Sequence, residues 1–497
     1  MLQKRTLFLI IVTGLLVCQF IATGHVFLSN RSVREQTSIV GQAGYIAVPN
    51  AIVAMSLTDL PPAVAGGLFF TLSLGAGLTV FSFFIAWSWI VLFDRSRSIL
   101  KVIILIQFLM LLSVNWHGIN LFPSLYILFV PLAVFLVTIS GSRSLAPPTN
   151  LRIHIGAHAI PILILSIFWG SQMNGRIFIN VRDTLLLSNT FGIKMNSFYY
   201  DYTLNAAEAF RPIHQKLIKT CRILPSQNST LAEKVLDQMV RFDYLPVQTR
   251  KPVDLELSLD ENGTLHFSHH DTPVFSIPVS RFLREAESSL SRISSMCDKN
   301  QNFRLFTITS LVIGLPLLLY ALLYLLMYGG LRLFIDERKA MVIVSSTGLM
   351  IGLLLLVPVY LIERGEPDAG SVGSYLSCDG AMKRLQALRR INDSKLEITQ
   401  FNNYMATLTE KSVPERYWAV RALGGSHSKA AYDQLVVFLD STDINIACMA
   451  YLALGMMKDT RAVHEIIRRI GVSQKWYVQW YAYKALRRLK WRQTRFP

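Results

Sequence analysis

Two histidines, His25 and His117, are the first candidates for chemistry in this chain of 497 residues. Each stands at the end of a long apolar run. Two imidazoles from different helices can act as the axial ligands of a b-type haem, and Asn115 and Trp116 lie directly before His117. A haem site is therefore one hypothesis. The alternative is that both side chains simply reach the polar boundary at the end of an apolar helix.

The other histidines form weaker patterns. His154 and His158 are four residues apart on one face of a predicted helix, where a proton or quinone site competes with packing against a neighbouring helix. His266, His269 and His270 have a metal-like composition. The alternation of apolar residues places His266 on the polar face of a strand, so we predict no metal site.

Sequence motifs of enzymes are missing from the chain. It contains no P-loop, no dinucleotide-binding fingerprint, no HExxH and no nucleophile elbow. We therefore predict no catalytic residue and favour a function other than that of an enzyme.

Seven uncharged apolar runs dominate the sequence. Hydrophobic residues make up 52% of the chain and charged residues 16%, whereas about 25% charged is typical of soluble domains. A helix needs about 20 apolar residues to cross the hydrocarbon core of a membrane. The runs are 6–28, 68–93, 102–116, 121–140, 153–172, 305–328 and 341–362.

The distribution of basic residues predicts the orientation of these spans, because Lys and Arg accumulate in cytoplasmic loops. One side carries Lys4, Arg5, Arg95, Arg97, Lys101, Arg143, Arg152, Arg332, Arg338 and Lys339. The opposite short loops offer only Arg31 and Arg34. We expect a bacterial cytoplasmic (inner) membrane protein with a cytoplasmic N-terminus. The first span also resembles a signal peptide, and we favour an uncleaved anchor.

Four of the five cysteines lie outside in this topology, where an oxidising compartment permits disulfides. Cys221 and Cys297 bracket the middle segment and are the preferred pair, although four cysteines allow three connectivities. Cys448 lies in an apolar helical pattern and is expected to be buried.

The middle segment is predicted to be α+β. Helical patterns cover 205–223 and 231–242. Alternation from Val253 to Leu259, followed by Asn262 and Gly263 and then by Leu265, predicts a hairpin with a primed turn. The aromatic cluster at 191–202 is expected either at the membrane interface or in a core.

An internal repeat occupies the C-terminal part. The segment that begins at Ala419 recurs at Ala450 and again at Ala482, at spacings of about 31 residues. Small residues allow paired helices to approach closely. Gly424 and Gly455 are expected to end helices with a positive φ.

These repeats resemble HEAT-like repeats of the phycobilisome-lyase type over about 413–492. The resemblance implies an α-solenoid that presents surfaces to other proteins. Arg487 stands where glycine is expected, which suits a terminal repeat.

A basic and aromatic surface is predicted in the last part of the chain. It comprises Arg468, Arg469, Lys475, Trp476, Trp480, Lys484, Arg487, Arg488, Lys490 and Trp491. Its expected partner is an anionic lipid surface or an acidic protein rather than nucleic acid. The alternative is a solvated cap whose aromatic residues are core.

The sequence as a whole predicts a polytopic α-helical membrane protein of about seven spans, with an extracytoplasmic α+β domain and a C-terminal HEAT-like α-solenoid. The segments are a signal-anchor span at 1–28, an outer loop at 29–67, a four-span bundle at 68–172, the α+β domain at 173–304, a two-span hairpin at 305–362 and the repeat domain at 363–497. The first functional hypothesis is a scaffold that docks membrane or periplasmic proteins of an envelope complex. The alternatives are a permease-type subunit with a separate ATPase and a redox subunit that binds haem or quinone.

Overall fold

The computed structural model describes residues 2–141, 151–224, 229–410 and 412–494, without the side chains of residues 2–4, 151–154 and 229. The helices are α1 (Leu2–Gln42), α2 (Ala51–Ser56), α3 (Leu60–Phe70), α4 (Ala76–Val91), α5 (Arg97–Val114), α6 (Leu121–Ser140), α7 (Leu151–Gly170), α8 (Ile177–Val181), α9 (Thr190–Phe198), α10 (Ser229–Arg241), α11 (Val279–Arg284), α12 (Ala286–Met296), α13 (Gln301–Thr309), α14 (Leu315–Leu331), α15 (Glu337–Arg364), α16 (Val372–Leu376), α17 (Ala381–Asp393), α18 (Tyr404–Thr409), α19 (Val413–Leu423), α20 (Lys429–Phe438), α21 (Ile444–Met457), α22 (Ala462–Val472) and α23 (Trp476–Arg488). The strands are β1 (Lys219–Ile223), β2 (Tyr244–Pro246), β3 (Leu255–Leu259), β4 (Thr264–His269) and β5 (Thr272–Pro278).

The chain divides into two compact units, each built from three separate segments. The first unit comprises Met1–His25, Val64–Met195 and Lys299–Gly365. The second comprises Val26–Ala63, Asn196–Asp298 and Glu366–Pro497. The predicted domain boundaries therefore differ from those of the units, because the segments predicted as an outer loop, a middle domain and a repeat domain contribute to one unit.

The first unit contains most of the long apolar helices. Six helical stretches in the described part of the chain are long and apolar enough to cross a membrane, at Arg5–Gln42, Leu60–Val91, Arg97–Val114, Leu121–Ser140, Gln301–Leu331 and Glu337–Arg364. They correspond to six of the seven predicted runs. The other run forms α7, which counts as a shorter apolar helix over Ile155–Gly170. Arg143 lies outside the described residues, as does the side chain of Arg152.

Two of the apolar stretches contain a π-helical turn, at Thr71–Gly75 and Ser310–Gly314, and these turns pack against each other. A π turn displaces the regular hydrogen-bond ladder by one residue. The Ser310 hydroxyl donates to the carbonyl oxygen of Leu74 at 2.8 Å and accepts from the backbone nitrogen of Gly77 at 2.9 Å. The Ser310 hydroxyl thus serves one carbonyl oxygen and one backbone nitrogen of the neighbouring helical stretch.

Helix α1 extends beyond the predicted first span and includes 29–42, which we expected to be a loop. The reason is an amphipathic pattern. Val33 and Val40 turn towards other residues of the second unit, whereas Arg31, Arg34 and Glu35 are exposed. An apolar stripe with this spacing favours a helix that lies on a folded core.

The second unit contains a five-stranded sheet in the order β2-β1-β3-β4-β5. Strand β1 is parallel to β2 and β3, and β3, β4 and β5 are antiparallel. The predicted hairpin is confirmed, since Leu259 pairs with Leu265. Its turn is not the predicted primed turn, because Gly263 has a φ of +73° whereas Asn262 has no positive φ. Leu255, Leu257, Leu265 and Phe267 form the core with α10, α11 and α12.

One element of this domain was predicted with the wrong type. The helical pattern over 205–223 gives a short 3-10 helix at Leu204–Phe210 and then strand β1. Lys219, Thr220 and Cys221 are buried in β1. Because β1 lies between two strands, its backbone is paired on both sides, and tertiary pairing overrides the local preference.

Candidate interaction site

Helices α19, α21 and α23 carry the three copies of the repeated motif and pack in sequence, α19 on α21 and α21 on α23. Ala419, Ala450 and Ala482 are almost completely buried. Helices α20 and α22 pack against α21 and α23, so each repeat contributes two helices. This is the arrangement of a solenoid, in which neighbouring repeats share a core.

The sequence predicts that the two glycines of the motif end helices with a positive φ, and this prediction is wrong. Gly424 has a φ of −63°, and Gly455 lies within α21. A methyl group on Gly424 would lie 2.8 Å from Cα of Ala453, and one on Gly455 would lie 3.0 Å from Cα of Ala485. Glycine is present because successive repeats approach backbone to backbone.

At the last repeat the corresponding position is Arg487, and its side chain contacts the middle domain. Arg487 Nε lies 2.9 Å from Asp243 Oδ2, and Nη2 donates to the carbonyl oxygen of Arg241 at 2.5 Å. The Tyr483 hydroxyl donates to Asp243 Oδ1 at 2.7 Å. Burial raises the pKa of Asp243, and Arg487 and Tyr483 oppose that shift. This carboxylate connects the array to the sheet domain.

The segment that follows α1 also packs on the array. Asn50 lies before α2, and its Nδ2 donates to the carbonyl oxygens of Ile470, Gly471 and Ser473, each at 3.0 Å. These carbonyls belong to the C-terminal end of α22, where helical partners are lacking. The Asn50 Oδ1 accepts from the backbone nitrogen of Val53 and thereby caps α2.

A second amide joins the same two segments. Gln493 Oε1 accepts from the backbone nitrogen of Ile46 at 2.8 Å, and Gln493 Nε2 donates to the carbonyl oxygen of Ile46 at 3.0 Å. The side chain of Gln493 therefore satisfies both the backbone nitrogen and the carbonyl oxygen of Ile46. Sequence reasoning missed Asn50 and Gln493, although an Asn directly before a helix is a recognisable cap.

The predicted basic and aromatic surface is in part an internal contact of the second unit. Trp476 is 8% exposed and packs against Val53 and Leu57. Lys475 Nζ lies 2.5 Å from Asp201 Oδ1. Trp476 is therefore a core residue, as the alternative predicted, whereas Lys475 pairs with Asp201 while its side chain stays 51% exposed.

The arginines and the other tryptophans divide between internal and exposed positions. Arg469 pairs with Asp440 and Glu465, and Arg468 pairs with Glu465 while its side chain is 61% exposed. The ammonium group of Lys484 lies 3.6 Å from the centre of the Trp480 ring. Trp491 packs edge-on against Tyr483. Arg488 and Lys490 are exposed.

The aromatic cluster before the sheet domain separates into different environments. The Tyr200 ring makes an edge contact with Tyr477 at 5.3 Å, as expected of a core residue. Tyr199 and Tyr202 are about 40% exposed, and Phe191 is 73% exposed. Tyr200 therefore agrees with the core interpretation, whereas a position of the exposed members at the membrane interface stays a prediction.

The two histidines of the haem hypothesis have different surroundings. His25 is buried, and its ring stacks on Phe122 at 4.4 Å and on Phe70 at 4.9 Å. Its Nδ1 lies 3.4 Å from the Tyr126 hydroxyl. His117 is exposed. The His25 ring thus packs among aromatic side chains, and the haem site stays a prediction that this geometry does not favour.

His158 contacts neighbouring helices. Its Nδ1 lies 3.1 Å from the Tyr320 hydroxyl and 3.3 Å from the Ser345 hydroxyl. These are hydrogen bonds of a packed side chain, which agrees with the packing alternative for this residue. The side chain of His154 lies outside the described residues.

The five cysteines are thiols in the structure, and the disulfide predicted between Cys221 and Cys297 is not formed. Cys221 is fully buried, and Cys297 packs against the same core. The Cys221 thiol donates to the carbonyl oxygen of Tyr244 at 3.6 Å, and burial raises its pKa. Because the thiolate is disfavoured there, Cys221 behaves as a small apolar core residue. Cys448 is buried, as predicted.

A Ser-His-Asp arrangement crosses the outer strands of the sheet. His266 Nδ1 lies 2.7 Å from the Ser276 hydroxyl, and Nε2 lies 3.4 Å from Asp260 Oδ2. Ser276 is exposed, as is 45% of the His266 side chain. Catalytic sets of this kind work in sites from which water is excluded. We interpret these contacts as cross-strand hydrogen bonds that stabilise the hairpin.

Asp254 is a buried carboxylate that sequence reasoning assigned to a polar strand face. It accepts from Lys216 Nζ at 2.7 Å and from the backbone nitrogen of Thr220 at 2.8 Å. Burial alone would raise its pKa, but Lys216 and Thr220 hold the pKa of this carboxyl below its usual value. Its two partners are 34 and 38 residues away in sequence, which is why the alternating pattern concealed it.

Asp254→Asn is expected to destabilise the second unit by about 3 kcal/mol, because it leaves Lys216 without its buried partner. A carboxyl with a lowered folded pKa stabilises the fold above its unfolded pKa of about 3.9 and loses this effect as the pH falls through the folded value. The difference from the parent protein should therefore be full at pH 7 and shrink below about pH 4. Thermal unfolding of the full chain measures it, with the exposed Asp271→Asn as control. Equal losses for both variants would contradict the role of Asp254.

The stretch Leu60–Val91 contains several glycines and packs closely against α1. A methyl group on Gly75 would lie 2.6 Å from Cys18 Sγ, and one on Gly67 would lie 2.8 Å from Gln19 Nε2. Gly66 is also buried. Close helix packing through small residues is a general property of apolar bundles and does not by itself indicate transport.

Comparison with known proteins identifies the array. No curated protein matches this chain. A protein-family model described as HEAT repeats matches residues 405–487, which span α19 to α22 and nearly all of α23. The C-terminal region of the chain, in which the repeat and its solenoid packing were found, therefore consists of HEAT repeats.

Proposed function

We propose that this protein is a membrane-anchored scaffold of the bacterial cytoplasmic membrane. Its second unit faces the periplasm and binds other membrane or periplasmic proteins of an envelope complex through the HEAT repeats. HEAT repeats commonly mediate contacts between proteins, which supports protein partners. The apolar helices of the first unit supply the anchor.

The observation that carries this proposal is the composition of the second unit from three separated segments. Segments that fold together must lie on one side of a membrane, so an even number of crossings must separate them. The stretches at Gln301–Leu331 and Glu337–Arg364 provide two crossings between the second and third segments. Three long stretches lie between the first and second segments, which is an odd number. The number of crossings there becomes even only if α7 also crosses the membrane. This parity supports seven spans.

The surface offered to partners lies on α20 and α22. Val437 on α20 is 73% exposed, and Val472 at the end of α22 is 70% exposed. In contrast, twelve residues of α21 are buried. Val437 and Val472 therefore expose apolar side chains on the helices of two successive repeats, and Arg468 is also exposed on α22. A surface of this kind suits a protein partner that makes both apolar and polar contacts.

The proposed topology is tested by cysteine labelling in intact cells with a membrane-impermeant maleimide. Asp271→Cys and Val472→Cys should both be labelled, and Phe334→Cys, in the loop after α14, should be labelled only after lysis. All three positions are exposed. Cys297 and Cys378 are first replaced by serine, since the other native cysteines are buried. Labelling of Phe334→Cys in intact cells, or opposite results for the two outer positions, would contradict the proposal.

Partner binding is tested in native membranes by a photo-crosslinking residue placed at Val437 or Val472. We expect both positions to crosslink to the same protein. The matched control is Leu224, an exposed apolar residue after β1 that lies outside the array. Absence of a crosslinked protein at both valines, or the same product at Leu224, would rule out this face as the docking surface.

A further inference from the structure

A cleft in the second unit has the composition of a phosphate-binding site. Its volume is about 730 Å³, within the range of ligand pockets. One wall is a single face of α1, because the lining positions follow the spacing of a helix. The lining residues are Phe27, Leu28, Arg31, Ser32, Arg34, Glu35, Ser38, Thr58 and Lys251.

Three cations face one carboxylate in this cleft. Lys251 Nζ lies 2.8 Å from Glu35 Oε1, which neutralises that pair. Arg34 Nη1 donates to the Thr58 hydroxyl at 3.2 Å, which holds the guanidinium group at the wall of the cleft. This bond uses one of the five N–H donors of the guanidinium group. Arg31 lies one helical turn before Arg34 and Glu35. Two guanidinium groups on adjacent turns can bind an anion with several oxygens in a bidentate manner.

The cleft is also polar at one end and apolar at the other. Phe27 and the half-exposed Leu28 precede the arginines along α1, Thr58 lies beside Arg34, and Ser38 lies beyond the arginines. A phosphodiester that carries an apolar group matches this order, because guanidinium binds the phosphate and the apolar side chains contact the hydrocarbon. Inorganic phosphate or a soluble phosphate ester would use the same arginines but not Phe27 and Leu28.

We propose that this cleft binds a phosphate group through Arg31 and Arg34. Under the proposed topology it lies just beyond the apolar part of α1, where lipid headgroups are found. Binding is measured on purified protein and does not depend on which side of the membrane the second unit faces. Failure of the topology and failure of this site are therefore separate results.

The test is native mass spectrometry of the full chain in detergent. The probes are phosphatidylglycerol, phosphatidylcholine, glycerol phosphate and inorganic phosphate. We expect Arg31→Gln/Arg34→Gln to weaken binding of the preferred probe at least about tenfold, because it removes two guanidinium groups that can each donate charge-assisted hydrogen bonds to the phosphate. The matched control is Arg284→Gln, an exposed arginine of the same unit outside the cleft. Equal unfolding temperatures of the variants show that the fold is retained.

The probes distinguish the two sources of phosphate. Retention of phosphatidylglycerol that soluble phosphates do not displace assigns the site to a lipid headgroup. Displacement by glycerol phosphate or inorganic phosphate at millimolar concentration assigns it to a soluble ester. Unchanged binding of all four probes in the double variant overturns the proposal, as does an equal loss in Arg284→Gln.

Discussion

Replacing Asn50 by alanine is expected to lower the stability of the second unit by about 3 kcal/mol, and replacing it by aspartate is expected to lower it further. Alanine removes both the cap of α2 and the donor to the end of α22, so that the carbonyl oxygens of Ile470 and Gly471 lose their bond to Asn50. Aspartate retains the cap, because its carboxylate still accepts from Val53. It nevertheless places negative charge against three carbonyl oxygens in a site where Asn50 is only 8% exposed.

The relative stabilities of the alanine and aspartate variants distinguish the two roles of Asn50, which are to cap α2 and to donate to the end of α22. As a helix cap alone, aspartate is about as good as asparagine. The control is Ser428→Ala, which removes only a cap, since Ser428 accepts from the backbone nitrogen of Ala431 at the start of α20. It should cost about 1 kcal/mol. The measurement is thermal unfolding of the full chain in detergent, followed by tryptophan fluorescence. An aspartate variant as stable as the parent would show that Asn50 is only a cap.

Gly314→Ala is expected to disrupt the packing of the first unit, although it adds a single methyl group. That methyl would lie 2.6 Å from the backbone nitrogen of Gly77 and still closer to its Cα. Backbone cannot rotate away as a side chain can, so the two π-helical turns must separate. Overpacking of this kind costs about 1–3 kcal/mol or more. Separation would also remove the hydrogen bonds of Ser310.

The matched control for this variant is Gly330→Ala in α14, the helix that follows the π-helical turn. An added methyl at Gly330 meets no atom within 4 Å. Because alanine favours helix by up to about 1 kcal/mol over glycine, this variant should be neutral or slightly stabilised. Size-exclusion profiles after stepwise heating in detergent give the midpoint for both. Similar midpoints would show that the bundle tolerates the added methyl and that the close approach is not required.

Local patterns predicted local structure well. Asn262 and Gly263 between alternating apolar residues gave the hairpin, and the recurrence of Ala419 at Ala450 and Ala482 gave the array. In each case the interacting residues lie within about 30 residues of one another. The period of the pattern then carries the structural information directly.

Contacts between distant segments could not be predicted from such patterns. Arg487 lies among basic and aromatic residues that predict a solvated or lipid-binding surface, yet its partner Asp243 lies 244 residues earlier. The same holds for Trp476, whose neighbours Val53 and Leu57 precede it by more than 400 residues. Basic and aromatic residues suit an exposed surface and an internal contact equally well, so only the fold decides between them.

The bidentate pairing of Gln493 with Ile46 joins residues 447 positions apart and has a consequence for biosynthesis. Ribosomes make a chain from its N-terminus at about 5–20 residues per second. The segment around Ile46 and Asn50 must therefore wait for many seconds with its polar groups uncovered before Gln493 is made. The backbone polar groups of Ile46 receive their Gln493 partners only after the third segment of the second unit has been made. The second unit can therefore close only late in synthesis, after the helices of the first unit have already left the ribosome.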